Sequence, residues 1–210
     1  MNPEVHARRR AAIVEAAAAE FAAHGVDGTS TAAVCRRAGI GSGTLFHYFA
    51  TKRELFHAVF ADDLPRTARR CAEALAAPDP DTGLALLTGH LIDELTDPLA
   101  PGLASAALLQ ANRDPEFARL LAALDAQLQE ALTTLLERLA ERPGRILPLP
   151  APSAARWIRH LIDAAHLTAD PAERGTTTAE LRLILSWLTG HRETPQGNPG
   201  ESVTGNSPLA

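Results

Sequence analysis

The chain has 210 residues, of which 46% are hydrophobic and 21% charged, and a formal net charge of −5. That length holds one or two domains, and that balance belongs to a folded globular chain, not to a disordered one. An acidic average argues against a basic nucleic-acid coat protein, although an average hides any uneven distribution.

No apolar run approaches the roughly 18 residues that a bilayer demands, so no membrane partner is expected. The polar start MNPEVHARRR is not expected to lead a signal peptide. Cys35 and Cys71 form neither a CxxC pair nor a disulfide framework, and read as reduced, packed side chains of a cytoplasmic protein.

The charge is in fact uneven. Residues 1–60 carry seven basic and five acidic groups, whereas residues 61–210 carry thirteen basic and twenty acidic ones. The head is therefore +2 and the body −7. Six of the nine aromatics also lie in the head: Phe21, Phe46, Tyr48, Phe49, Phe56 and Phe60. Lys52 is the only lysine among twenty basic residues.

Alanine and leucine dominate and no alternating β-branched run occurs, so the chain reads as all-α. The first helix spans about Arg8 to His24, with Ile13, Ala17 and Phe21 at fourfold spacing and Gly25 as its stop. A short second helix covers Thr31 to Ala38, capped by Ser30 or Thr31 and ended by Gly39. A third covers Ser42 to Phe49. A fourth starts at Thr51–Lys52 and runs to about Ala76, where Pro65 should kink or split it. Further helices are expected over Thr82–Thr96, Gly102–Ala111, Pro115–Arg142, Ser153–Leu167 and Thr178–Gly190, about nine in all. Asp114-Pro115 is a cap followed by proline at the first helical position. Residues 143–152, with four prolines, read as a loop, and the last twenty residues as a disordered tail.

The informative stretch is TSTAAVCRRAGIGSGTLFHYFATKR, residues 29–53. Two short helices joined by a glycine-containing turn make a helix-turn-helix. Val34, Ile40, Leu45 and Phe49 can lock the pair against the first helix. The face left on the third helix holds Ser42, Gly43, Thr44, Phe46, His47 and Tyr48. Small residues let backbone approach DNA closely, hydroxyls contact bases or phosphates, and rings pack on thymine methyls.

In AAIVEAAAAEFAAHGVDGTS, AGIGSGTLFHYF and TKRELF the sequence resembles the TetR family of bacterial transcriptional regulators, over about residues 8–57. The resemblance implies an N-terminal three-helix DNA-binding domain (1–52), a larger helical effector-binding and dimerisation domain (53–190) and the tail (191–210). It implies that Thr31 meets phosphate, that Ser42, Gly43 and Thr44 open the recognition helix, and that His47 and Tyr48 face DNA backbone. It places Lys52 where the family has a phosphate-contacting lysine. Phe46 stands where the family usually has tyrosine and offers only apolar contact. Gly41 replaces a common serine and weakens capping of the recognition helix; Cys35 replaces a common alanine.

Each assignment has a plainer alternative. His47 could idle on the surface, Phe46 and Tyr48 could be core aromatics, and Arg8, Arg9, Arg10, Arg36 and Arg37 could be solvated charges. Arg8–Arg10, placed ahead of the first helix, could instead touch DNA backbone or a minor groove.

For the body, the resemblance implies a homodimer built on a four-helix interface. Trp157, Ile158, Leu161, Ile162, Leu181, Ile184, Leu185 and Leu188 are the interface candidates. His90, Gln110, Asn112, Arg113 and His166 are the polar candidates for binding an unknown small-molecule effector. No HExxH, GxSxG or P-loop occurs, so neither enzyme, metal nor cofactor is expected. The function expected is a ligand-responsive, homodimeric, cytoplasmic regulator, a repressor released from a near-palindromic double-stranded operator by its effector. An interaction protein that kept the fold without binding DNA is the competing class.

Overall fold

The computed structural model describes residues 3–168 and 174–190, and within them the chain is helical with no strand. The expected tail lies outside the described residues. Among the described residues ten α-helices and a single 3-10 turn follow one another, the expected helix through Pro65 being split in two.

α1 (Pro3–Gly28) starts five residues before the expected Arg8, so Arg8, Arg9 and Arg10 lie within it and do not precede it. Nothing in that segment breaks a helix, since Pro3 can occupy a first turn. Gly25 adopts φ 68°, a left-handed conformation open to glycine, and turns the chain there. The Thr29 hydroxyl then donates to Gly25 O at 2.7 Å and lies 3.0 Å from Glu20 O, tying off carbonyls that the helix end leaves open.

α2 (Thr31–Ala38) is capped by Ser30, whose side chain accepts from Ala33 N, and ends at left-handed Gly39. α3 (Ser42–Tyr48) starts at Gly41 with no side-chain cap. α4 (Lys52–Ala61) opens on a reciprocal pair: Thr51 accepts from Glu54 N, and the Glu54 carboxylate accepts from Ala50 N.

α5 (Leu64–Leu75) takes Pro65 into its first turn, which explains the split. α6 (Pro80–Asp93) is capped by Asp79 and runs into the 3-10 turn Glu94–Thr96. α7 (Ala100–Ala111) is followed by α8 (Pro115–Ala140), whose cap Asp114 accepts from Glu116 N and Phe117 N. α9 (Ala151–Thr168) and α10 (Arg174–Leu188) complete the described chain.

Two cores hold these helices. One lies in the body, where Leu87, Ile92, Leu132, Leu135, Leu136, Ile158 and Ile162 are essentially sealed from solvent. The other joins Ile13, Phe21, Val34, Leu45 and Phe49 of the head to Leu55, Phe56, Ala106, Ala107 and Phe117. Packing thus runs across residue 52 without interruption. Phe56 is the centre of this second core, with ring centroids 5.0 Å from Phe21, 5.2 Å from Phe60 and 4.9 Å from Phe117. Each buried ring is worth about 1.5–3 kcal/mol by area alone.

α1 packs most extensively on α7. Gly102 makes that close approach possible, because a Cβ there would lie 2.2 Å from Ala22 O.

Candidate nucleic-acid interface

Local signals place the α2–α3 unit. Val34, Leu45 and Phe49 are buried and half-buried Ile40 packs beside them, so the apolar side of the unit closes on α1. Gly39 N–H donates to Arg36 O, and Ile40 N–H to Cys35 O, fixing the turn. Cys35 itself is buried in the same core.

What α3 leaves outside is Ser42, Gly43, Phe46 and His47, all exposed, with Thr44 and Tyr48 half-buried. Thr31 is half-buried at the start of α2. Phe46, half exposed at 50%, is an uncovered ring with no ring partner among the described residues. A Cβ on Gly43 would meet nothing within 4 Å, so the fold itself does not require glycine there. Tyr48 instead joins a ring cluster with His47 and His6.

The surrounding cations divide into two sets. Arg10 is taken by Asp62 at 2.7 Å and lies over the Phe49 ring at 5.4 Å. Arg37 is taken by Glu20 at 2.6 Å. That hydrogen bond holds the Glu20 carboxyl below the usual carboxylate range, against the upward push of its burial. Arg8, Arg9 and Arg36 are exposed and make no ion pair among the described residues.

Lys52 has a structural task that its position in sequence did not reveal. Its Nζ donates to Val26 O at 2.6 Å and Thr29 O at 2.9 Å, pinning the start of α4 to the end of α1. A third N–H remains.

α4 is tied equally firmly to the body. Arg53 Nε donates to Asp114 Oδ2 at 2.7 Å and Arg53 Nη2 to Oδ1 at 3.1 Å, while Arg53 also pairs with Glu116. His57 Nε2 lies 2.8 Å from the same carboxylate. Burial pushes the Asp114 carboxyl up, but hydrogen bonds from Arg53, His57 and Phe117 N–H outweigh it, and the net shift is well below the carboxylate range. This node, missed in the sequence, joins residues 57 and 61 positions apart.

The interface candidates of the body need correction. Ile158 and Ile162 are sealed in the core, and Leu181, Leu185 and Leu188 are nearly so. Their side chains are committed to the chain's own core. Helical spacing marks an apolar stripe but not which stripe faces inward. Half-buried Leu161 packs beside the core, and the large apolar side chains left outside on α9 and α10 are Trp157, Leu167, Leu183, Ile184 and Trp187.

The effector candidates are not gathered around one space. Gln110 Nε2 sits 3.5 Å from Asp114 Oδ2, exposed Asn112 donates to Leu108 O, exposed Arg113 pairs with Asp27, and the His166 ring bonds Ile162 O. His90 is half-buried on α6. None of the five lines the cleft of about 280 Å³ between α6 and α10, which is walled by Leu84, Thr88, Ile92, Arg182, Leu185 and Ser186.

A short helix-turn-helix with an exposed small-and-aromatic reading face, set on a larger helical body, defines a DNA-binding transcriptional regulator. Residues 13–59 match the family described as bacterial regulatory proteins, tetR family. That match covers the helix-turn-helix and most of α4, and the family it describes is one of transcription factors. The fold is shared with solved structures along nearly the whole chain. A TetR transcription regulator from Haloarcula marismortui aligns with TM-score 0.74 at 18% identity, covering 87% of this chain and 97% of that one. A TetR-family regulator from Agrobacterium tumefaciens aligns with TM-score 0.70 at 22% identity, covering 89% and 99%. The regulator FadR from Bacillus subtilis, solved in complex with stearoyl-CoA, aligns with TM-score 0.66 at 19% identity, covering 86% and 98%.

Proposed function

We propose that the chain is a homodimeric cytoplasmic repressor that binds a near-palindromic operator and leaves it when a small-molecule effector binds the body. The observation that carries this reading is the uncovered face of α3, Ser42, Gly43, Thr44, Phe46, His47 and Tyr48, in a head whose exposed Arg8, Arg9 and Arg36 make no ion pair among the described residues. Thr31 and the third N–H of Lys52 add phosphate contacts. Phe46 and the open space at Gly43 suit close apposition to base edges and thymine methyls.

Residues 1–52 form the DNA-binding unit and 53–190 the effector and dimer unit in this reading. The partner face is Trp157, Leu183, Ile184 and Trp187, joined at its margin by Leu161. Two such heads would read successive major grooves about 34–36 Å apart.

The release mechanism runs through α4. Lys52 fastens its first turn to the head, and Arg53 and His57 fasten it to Asp114 at the start of α8. A ligand that displaces Gln110 or the α7–α8 junction would disturb Asp114 and, through it, the orientation of the head. Such a ligand favours the arrangement with the wrong head spacing, and affinity falls by that difference. The sparse aromatics of the body and the acyl-CoA bound by the similar FadR favour an aliphatic or acyl ligand.

A gel shift on the intergenic DNA adjoining the gene, with and without stearoyl-CoA, tests the reading. Salt-sensitive specific binding, weakened by the acyl-CoA, is expected. Binding indifferent to salt would sink the DNA reading, and binding indifferent to acyl-CoA would remove the acyl effector.

A further inference from the structure

The start of α1 overhangs the head. Residues 3–9 contribute no buried side chain, and the buried stripe of α1 begins only at Ile13. Yet this overhang makes a defined contact with the end of α3. The His6 ring lies 4.5 Å from the Tyr48 ring, centroid to centroid, inclined at 39°. His47 stands edge-on to both, 5.4 Å from Tyr48 at 84° and 6.3 Å from His6 at 79°. His6 is half-buried although Val5 and Ala7 beside it are exposed.

Tyr48 packs against the rim of the head's core, while His47 is exposed and His6 half-buried outside that core. The effect of the cluster falls on orientation. Tyr48 and His47 are two of the side chains proposed to meet DNA, and His6 closes the side of Tyr48 that would otherwise face solvent. A ring held from one side only can rotate about χ1, and fixing it on binding costs rotamer entropy.

We infer that His6 is a positioning residue, resting on the DNA-binding reading above: it stacks on Tyr48 and holds Tyr48 and His47 in the rotamers that the operator backbone meets. His6 itself need not touch DNA.

Tyr48 is the only tyrosine in the chain. Full-length protein carrying 3-fluorotyrosine therefore gives a single 19F resonance that reports on this ring alone. His6→Ala should displace that resonance and weaken binding to the shifted intergenic fragment about three- to tenfold, the usual range for one ring pair. The slope of affinity against salt should stay unchanged, because no phosphate contact is lost. His6→Phe, which keeps a stacking ring and removes the imidazole, should restore affinity to within about twofold.

A displaced resonance with unchanged affinity would overturn the inference, as would failure of phenylalanine to rescue. A salt slope lowered by about one would overturn it too, making His6 a phosphate contact in its own right. Wild-type protein that binds no DNA specifically removes the regulator reading and this inference together, whereas normal wild-type binding beside an unaffected His6→Ala removes this inference alone.

Discussion

Lys52 combines two tasks that the sequence shows as one. Its ammonium bridges the carbonyls of Val26, in the last turn of α1, and Thr29, just beyond it, and in the proposed reading it also meets a DNA phosphate. Lys52→Ala should therefore cost about 1–3 kcal/mol of stability through two acceptors left without their charged donor. It should also weaken binding to all DNA sequences alike and lower the salt slope by about one. Urea unfolding and salt-dependent gel shifts separate the two effects. A lowered unfolding midpoint with an unchanged salt slope would restrict Lys52 to holding α1 and α4 together. The same division by partner sorts the arginines. Arg10 and Arg37 are spent on Asp62 and Glu20, whereas Arg8, Arg9 and Arg36 make no ion pair among the described residues.

Among the elements, α4 is tied through its first two turns both to the end of α1, by Lys52, and to the start of α8, by Arg53 and His57. The body tie rests on Asp114, whose carboxyl is held well below its ordinary range by Arg53, His57 and the backbone of α8. The folded chain therefore binds fewer protons at this site than the unfolded chain. The stability it contributes is complete above the unfolded aspartate value of about 3.9 and is lost as pH falls toward the native value. Asp114→Asn keeps a residue able to cap α8 but removes the charge. The variant should be less stable than wild type near neutrality, and the gap should narrow as urea midpoints are followed from about pH 7 down to about pH 3. A gap independent of pH would show that the charge of Asp114 is not what joins α4 to α8.

This node also marks where sequence reading stops. Ser30, Gly39, Pro65 and the Asp114-Pro115 pair mark caps, a stop and a break in the sequence, because each acts within about one helical turn of itself. The partners of Asp114, Lys52 and His6 lie 23 to 61 residues away or across a packed interface, and no local spacing encodes them. The inner and outer stripes of α9 and α10 are indistinguishable in the sequence for a related reason. Both are apolar at helical spacing, and only the fold decides that Leu185 points inward and Trp187 outward.

At the scale of the whole molecule, the +2 head and −7 body suit a protein that offers DNA one end only. A head with so little net charge should bind non-specific DNA weakly, so under the proposed dimer specific binding should depend on two heads held together. The exposed patch of α9 and α10 is then as necessary as α3. Trp187, 61% exposed, can be replaced without opening the core, whereas Leu185, 4% exposed, cannot. Trp187→Glu should place two carboxylates opposite each other across a symmetric interface and give a folded monomer by sedimentation, with its helical content intact. Losing the second head removes the effective-concentration gain of a linked pair, on the order of 10²- to 10⁴-fold in operator affinity. Leu185→Glu, by contrast, should fail to fold, since it buries an unpaired charge. A Trp187→Glu protein that remains dimeric and binds the operator normally would move the partner face away from α9 and α10. A monomer that binds as tightly as wild type would show instead that one head suffices, and the spacing-based release through α4 would then have nothing to act on.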